Sequence, residues 1–234
     1  MQEWLKQYEK VKELLASPIN YAELFKEKEL DGKKLFVLNM GKVNFATDEI
    51  LVRDPLVYLN EEQQPYFTKV PVGEYDLETL VVEVEEGSYR YIASRVRFND
   101  QDATRYYQAL EGDEDLEEVD GDTIFGFIVD AGLATIVDTE TRDAYCEFVQ
   151  GWYEKNEDKN IYDDFFADEF QKSYLERPEF QREGGDWINF RIPNTDCRVP
   201  MIQSGFGDGL YPVYFGYDGA GSLCDVVMEY IFVG

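Results

Sequence analysis

The chain contains no histidine, and this absence excludes more chemistry than any other feature of its 234 residues. Ser-His-Asp and Cys-His mechanisms need an imidazole that passes a proton near neutral pH, so hydrolases of those types are ruled out. Zinc centres built on His or mixed Cys/His ligands go with them. Cysteine is scarce too. Cys146, Cys197 and Cys224 form no C-x-x-C pair and leave an odd count, which reads as reduced thiols packed as small hydrophobes in a cytosolic protein. Long apolar runs are missing: residues 1–15 are charged throughout, unlike a signal peptide. The most apolar neighbourhood, residues 124–137, is broken by Asp130 and glycine and is too short to span a bilayer. These features set the expectation of a soluble, cytoplasmic protein without a membrane partner.

Positive charge is the third scarcity. Twenty-two Lys+Arg stand against 49 Asp+Glu, a net charge of −27. Such a field repels nucleic acid and anionic membranes and attracts basic proteins or cations. The excess is uneven, and the segment 111–122 holds Glu111, Asp113, Glu114, Asp115, Glu117, Glu118, Asp120 and Asp122 with no base among them. A solvated loop that keeps the protein soluble and a docking surface are equally good readings of this run. It is not a calcium-binding loop, because Glu118 stands where that loop requires glycine.

What is present argues for a folded body: 44% of the residues are hydrophobic and 15% aromatic, well above a disordered composition. Trp4, Tyr8, Val11 and Leu15 share one face of an N-terminal helix that Pro18 stops. A second short helix is expected over 20–30, and together they make a helical segment, residues 1–30. Strands are expected at 35–38, 43–45 and 50–52, then at 124–129, 133–137, 187–192, 199–203, 210–217 and 223–233. Helices near 139–155, capped by Asp138 or Thr139, and 161–175, capped by Asn160, interrupt them. The segment 76–98 reads as a hairpin. A two-residue turn at Glu86-Gly87 would set Asp76 opposite Arg97, Glu78 opposite Arg95 and Glu83 opposite Arg90. It would also set Val81 against Ile92, Val82 against Tyr91 and Val84 against Tyr89. Strands outnumber helices without alternating regularly with them. The fold class is therefore α+β, one domain over 1–234 whose sheet body, 35–234, is mainly antiparallel, with the N-terminal helix and two mid-chain helices packed on it.

The stretch Gly205-Phe206-Gly207-Asp208-Gly209-Leu210-Tyr211-Pro212-Val213-Tyr214-Phe215-Gly216-Tyr217-Asp218 resembles a bacterial family known only as domain of unknown function 4241. Asp54-Pro55, Pro71-Val72-Gly73-Glu74-Tyr75, Arg95-Val96-Arg97-Phe98 and Val129-Asp130-Ala131-Gly132 support the likeness, which spans about residues 50–234. The resemblance implies a single domain over most of the chain and assigns no catalytic residues. The N-terminal helix and the acidic run lie outside these motifs.

The spacing of Gly205, Gly207 and Gly209 is GxGxG and leads into a strand, whereas a dinucleotide site needs GxGxxG and a helix N-terminus. No P-loop is present, and no cofactor or metal site is expected. The glycines serve positive φ or close backbone packing on one reading. On the other, Phe206, Asp208 and Tyr211 contact a small ligand or peptide. Asp130, Asp138, Asp208 and Asp218 sit at predicted strand ends, where turn formation explains them better than a hard cation does.

Composition thus points to an acidic cytosolic interaction protein that neutralises or sequesters a basic protein partner, such as an immunity protein against a nuclease-type toxin. Asp113, Glu114, Asp115, Glu117, Glu118, Asp120 and Asp122 would face that partner, and no residue is assigned to catalysis. The alternative is a metal-dependent hydrolase or small-ligand binder with its site near Gly205–Tyr211. A nucleic-acid mimic is a third possibility, distinguished by regularly spaced carboxylates on the folded surface.

Overall fold

A computed structural model describes residues 2–234. The helices are α1 (Gln2–Val11), α2 (Tyr21–Leu24), α3 (Thr139–Tyr153) and α4 (Ala167–Glu176). The strands are β1 (Glu29–Leu30), β2 (Lys33–Phe45), β3 (Ile50–Arg53), β4 (Gly73–Glu85), β5 (Ser88–Arg97), β6 (Arg105–Gln108), β7 (Phe127–Val129), β8 (Leu133–Asp138), β9 (Trp187–Arg191), β10 (Arg198–Gln203), β11 (Gly209–Tyr211), β12 (Val213–Tyr217) and β13 (Leu223–Glu229). Seven of them form a sheet in the order β1-β2-β4-β5-β13-β12-β6, four form β3-β8-β10-β9, and β11 pairs with β7. Every pairing is antiparallel, so the architecture is α+β as the sequence pattern implies.

Strand β13 lies inside the large sheet and is buried on both sides. Val226 and Met228 enter one apolar cluster with Leu77, Val96 and Phe215, while Val227 enters another with Tyr21, Leu80 and Tyr106. Tyr145 of α3, Phe170 of α4 and Phe166 just before α4 close over the four-stranded sheet through Ile188, Val199 and Met201. Asp138 caps α3 by accepting from Thr141 N at 2.9 Å. Asn160 caps the turn before α4 by accepting from the backbone of Tyr162 and Asp163.

Several expected boundaries shift, each for a local reason. The second helix stops after Leu24, because Asp31 (φ +50°) and Gly32 (φ +78°) make a primed turn that pairs β1 with β2. The two strands expected at 35–38 and 43–45 are one, bulged at Met40-Gly41, where Gly41 takes φ +91°. Pro212 has no N–H to donate, and the strand expected at 210–217 splits there: β11 pairs with β7, while β12 joins the large sheet. The strand expected from Ile124 begins only at Phe127. At the other end, β13 stops at Glu229 and not at Val233.

The β4–β5 hairpin keeps the expected register in its outer half, loses it between Val81 and Glu83, and regains it where Glu85 faces Ser88 across the expected Glu86-Gly87 turn. Glu78 lies opposite Arg95, and their side chains meet at 2.9 Å. Ile92 is then an extra residue, so Val81 faces Tyr91, Val82 faces Arg90 and Glu83 faces Tyr89. The freed Ile92 carbonyl accepts from Tyr230 N and Ile231 N, which holds the C-terminal segment. The bulge re-partners one expected ion pair, Glu83 now meeting Lys34 at 3.4 Å; outside the shifted stretch, Arg97 meets Asp102 at 3.8 Å. Asp76 instead lies opposite Lys42 of β2.

Candidate functional site

The acidic segment 111–122 is a folded loop clamped onto the N-terminal helix. Leu116 is buried with Tyr8, Val11, Leu15 and Leu110, and Val119 packs on the same cluster. Trp4 Nε1 donates to Glu114 O at 3.0 Å. At the loop's start the buried Arg53 guanidinium pairs with Glu111 and also donates to Gln63 Oε1, Val52 O and Gln64 O. Burial raises the Glu111 pKa more than Arg53 lowers it. At its far end the Gln108 side chain donates to Thr123 O at 2.8 Å and accepts from Phe125 N at 2.6 Å.

The predicted acids divide into two groups. Glu114 accepts from the backbone of Glu111 and Gly112, Asp115 from Glu117 N, and Asp120 from Asp122 N and Thr123 Oγ1. Those hydrogen bonds hold the Asp120 pKa below the usual carboxylate range. Asp113, Glu117, Glu118 and Asp122 are exposed, and their carboxylates form no hydrogen bond or ion pair among the described residues.

A groove of about 440 Å³ opens where this loop ends. Leu14, Ile124, Leu210 and Phe232 line it and are 45%, 52%, 52% and 61% exposed, an unusual concentration of bare apolar surface. Ile128, directly opposite Leu210 in the β7–β11 pair, extends the patch. Tyr214 and the buried Glu229 also line the groove, along with Asp122, and no lysine or arginine does. Glu229 accepts a 2.6 Å hydrogen bond from Tyr21. Burial raises its pKa, and the Tyr21 hydroxyl partly offsets that rise.

The GxGxG loop is tied to itself. Tyr211 turns its hydroxyl inward and donates to Gly207 O at 2.6 Å, while Ser204 Oγ donates to the same carbonyl at 2.9 Å. Gly205 sits at φ +42°, with Tyr230 O only 2.7 Å from where a Cβ would stand, so both the turn and the packing require glycine. Phe206 and Asp208 are exposed. Tyr211 and Leu210 line the groove, whereas Phe206 and Asp208 do not.

Three of the four strand-end aspartates have separate duties, and the exposed Asp208 joins none of them. Asp138 caps α3 and accepts from Ala46 N and Thr47 N; Asp218 accepts from Ala220 N and Ser222 N; Asp130 takes the Tyr58 hydroxyl. Among the described residues no three Cys, Asp or Glu side chains gather as a metal-binding group. The three thiols are free, and burial raises the pKa of Cys146 and Cys224, which disfavours their thiolates.

Sequence reading missed three residues. Asp54 is wholly buried and accepts from Leu56 N, Asp130 N and Ala131 N, joining Asp54-Pro55 to the Val129–Gly132 segment. Gln108 clamps the loop, and Glu229 lines the groove. Only Glu229 left a signal, as the one charged residue in the apolar run 226–232.

Residues 43–228 match the family described as protein of unknown function (DUF4241), and the chain belongs to it. No curated protein and no solved structure matches the chain significantly. Arg53, Asp54, Gln108, the acidic loop and most of the groove fall within the matched span; α1 and Phe232 fall outside it.

Proposed function

We propose that the protein captures and neutralises a basic protein in the cytoplasm, seating an apolar side chain of that partner in the groove. The observation that carries this reading is the junction of bare apolar groove and acidic loop in one continuous surface. An acidic field steers a cationic partner into encounter, and a desolvated apolar anchor slows its release. A nuclease-type toxin is the concrete partner class, because an enzyme that grips nucleic acid must present cations, and an acidic cap on that surface blocks it. Among the described residues no helix is long and apolar enough to cross a membrane, and the free thiols suit a reducing compartment. The alternative, a small-ligand site around Gly205–Tyr211, draws support only from the exposure of Phe206 and Asp208. The Tyr211 hydroxyl is already committed to loop carbonyls.

Fluorescence anisotropy with twelve-residue peptides tests the proposal: Lys/Arg flanks around a central Leu or Phe, the same flanks around Ala, and acidic flanks around Leu. Binding only of the first type is expected, weakening with salt and abolished by Leu210→Asp. Reversal of the four free acids, Asp113, Glu117, Glu118 and Asp122, to Lys should slow association about tenfold or more at low salt. Equal binding of the Ala-centred peptides, or no binding of any, would refute the groove as anchor.

A further inference from the structure

A second concave site lies elsewhere, sharing no lining residue with the groove. It is a cleft of about 620 Å³ between the β2 bulge, α4 and the β9–β10 hairpin. In a chain where acids outnumber bases more than two to one, five bases line it: Lys42, Lys172, Arg177, Arg191 and Arg198. Three acids join them, Glu74, Glu169 and Glu176; the first two pair with Lys42 and Lys172 on exposed surface, where such pairs contribute little and exchange readily.

The hairpin supplies an independent reason to regard the cleft as built for an anion. Arg191 and Arg198 are directly opposite each other across the β9–β10 ladder, an arrangement of like charges that destabilises a hairpin. Arg191 is compensated by Asp196, which is itself 92% exposed, whereas Arg198 has no carboxylate partner among the described residues. Across the cleft, the Arg177 guanidinium stacks 4.7 Å from the ring of the buried Trp187. Trp187 Nε1 is also a buried donor without an acceptor.

We infer that this cleft binds a small multivalent oxyanion, of the phosphate or polycarboxylate type, with Arg198 and Arg191 as the fork that receives it. Paired guanidiniums match the planar, bidentate geometry of such groups, and five bases against three acids leave the cleft lining an excess of positive charge that a multivalent anion relieves better than a monovalent one. The ligand is small because the field beyond the cleft is acidic. Screening over about 8 Å lets the cleft act locally, while an extended polyanion would meet the carboxylates around it.

Titration calorimetry of the full chain with inorganic phosphate, pyrophosphate and citrate, each against sodium chloride of equal ionic strength, tests the inference. Saturable one-site binding of pyrophosphate or citrate is expected, weakened about tenfold or more by Arg198→Gln and by Lys172→Glu. Arg105→Gln, an exposed base outside the cleft, should leave it unchanged. Binding of pyrophosphate alone assigns the ligand to the phosphate type, and of citrate alone to the carboxylate type. Heats no larger than those of chloride for all three anions, or binding indifferent to both cleft variants, would overturn the inference.

Discussion

The acidic loop and the basic cleft concentrate charge by opposite routes. In the loop, acids adjacent in sequence are used one at a time on nearby backbone N–H groups, and the remainder face solvent. In the cleft, bases spread from residue 42 to residue 198 are collected from β2, α4 and the residue after it, β9 and β10, and two are pressed against each other across a ladder. Clustering in sequence therefore has a partly structural explanation here, since an Asp or Glu at a turn satisfies a backbone donor. Clustering in space against electrostatic cost has none, and it marks the cleft more strongly than the loop is marked by its composition.

Breaking the loop's anchor gives the largest effect. Arg53→Met leaves the half-buried Glu111 carboxylate unpaired and strips hydrogen bonds from Gln63, Val52 and Gln64, at an expected cost of about 3–4 kcal/mol in urea unfolding. Amides 111–123 should exchange faster than those of β13 in the same variant. A cost below about 1 kcal/mol would mean that the apolar contacts of Leu116 hold the loop unaided.

A buried acid sharpens the contrast from a third direction. Asp225 on β13 has its pKa pushed up to about 6 by burial, with the Tyr106 hydroxyl and Arg95 opposing the shift. Its Oδ1 is buried without a donor. Because the folded state holds this proton more tightly than the unfolded chain, protonation favours folding. The contribution is complete below about pH 4, is lost as pH rises to about 6, and stays lost above that. Asp225→Asn keeps an acceptor for Tyr106 and removes the charge. Relative to the unmodified chain it should gain on the order of 2–3 kcal/mol at pH 7.5, with the difference vanishing near pH 4. A difference independent of pH would show that folding does not shift the Asp225 pKa.

How far the sequence discloses the molecule follows the same division between local and gathered features. The helix at 139–155 was readable because its cap and its apolar stripe are contiguous, and the central strand because Val226-Val227-Met228 is apolar at every position. The hairpin register was readable from Leu77 to Leu80 and at the turn, where Glu85 faces Ser88, but not between, since no residue type announces a bulge at Ile92. Pro212 did carry a warning, its missing N–H, that one apolar run would become two strands in two sheets. The groove was half visible in Leu210 and Tyr211, yet Leu14, Ile124 and Phe232 reach it only through tertiary folding. The cleft was invisible, because five bases scattered from residue 42 to residue 198 form no motif in one dimension.

The smallest effect discriminates most sharply between a cleft built for a ligand and bases that merely solvate a surface. Where Arg198 serves folding, its replacement by Thr destabilises, through loss of the arginine stem packed on the hairpin. Where it is held against Arg191 for the sake of an anion, Arg198→Thr relieves a like-charge cross-strand pair and places a strand-favouring residue in the ladder. The second case predicts a gain of about 0.5 kcal/mol in low-salt urea unfolding, shrinking as salt screens the repulsion. Pyrophosphate at saturating concentration should reverse the order, stabilising the unmodified chain above the variant, because a ligand bound only by the folded state adds its binding free energy to folding. A variant less stable than the unmodified chain at every salt concentration would assign Arg198 to the scaffold.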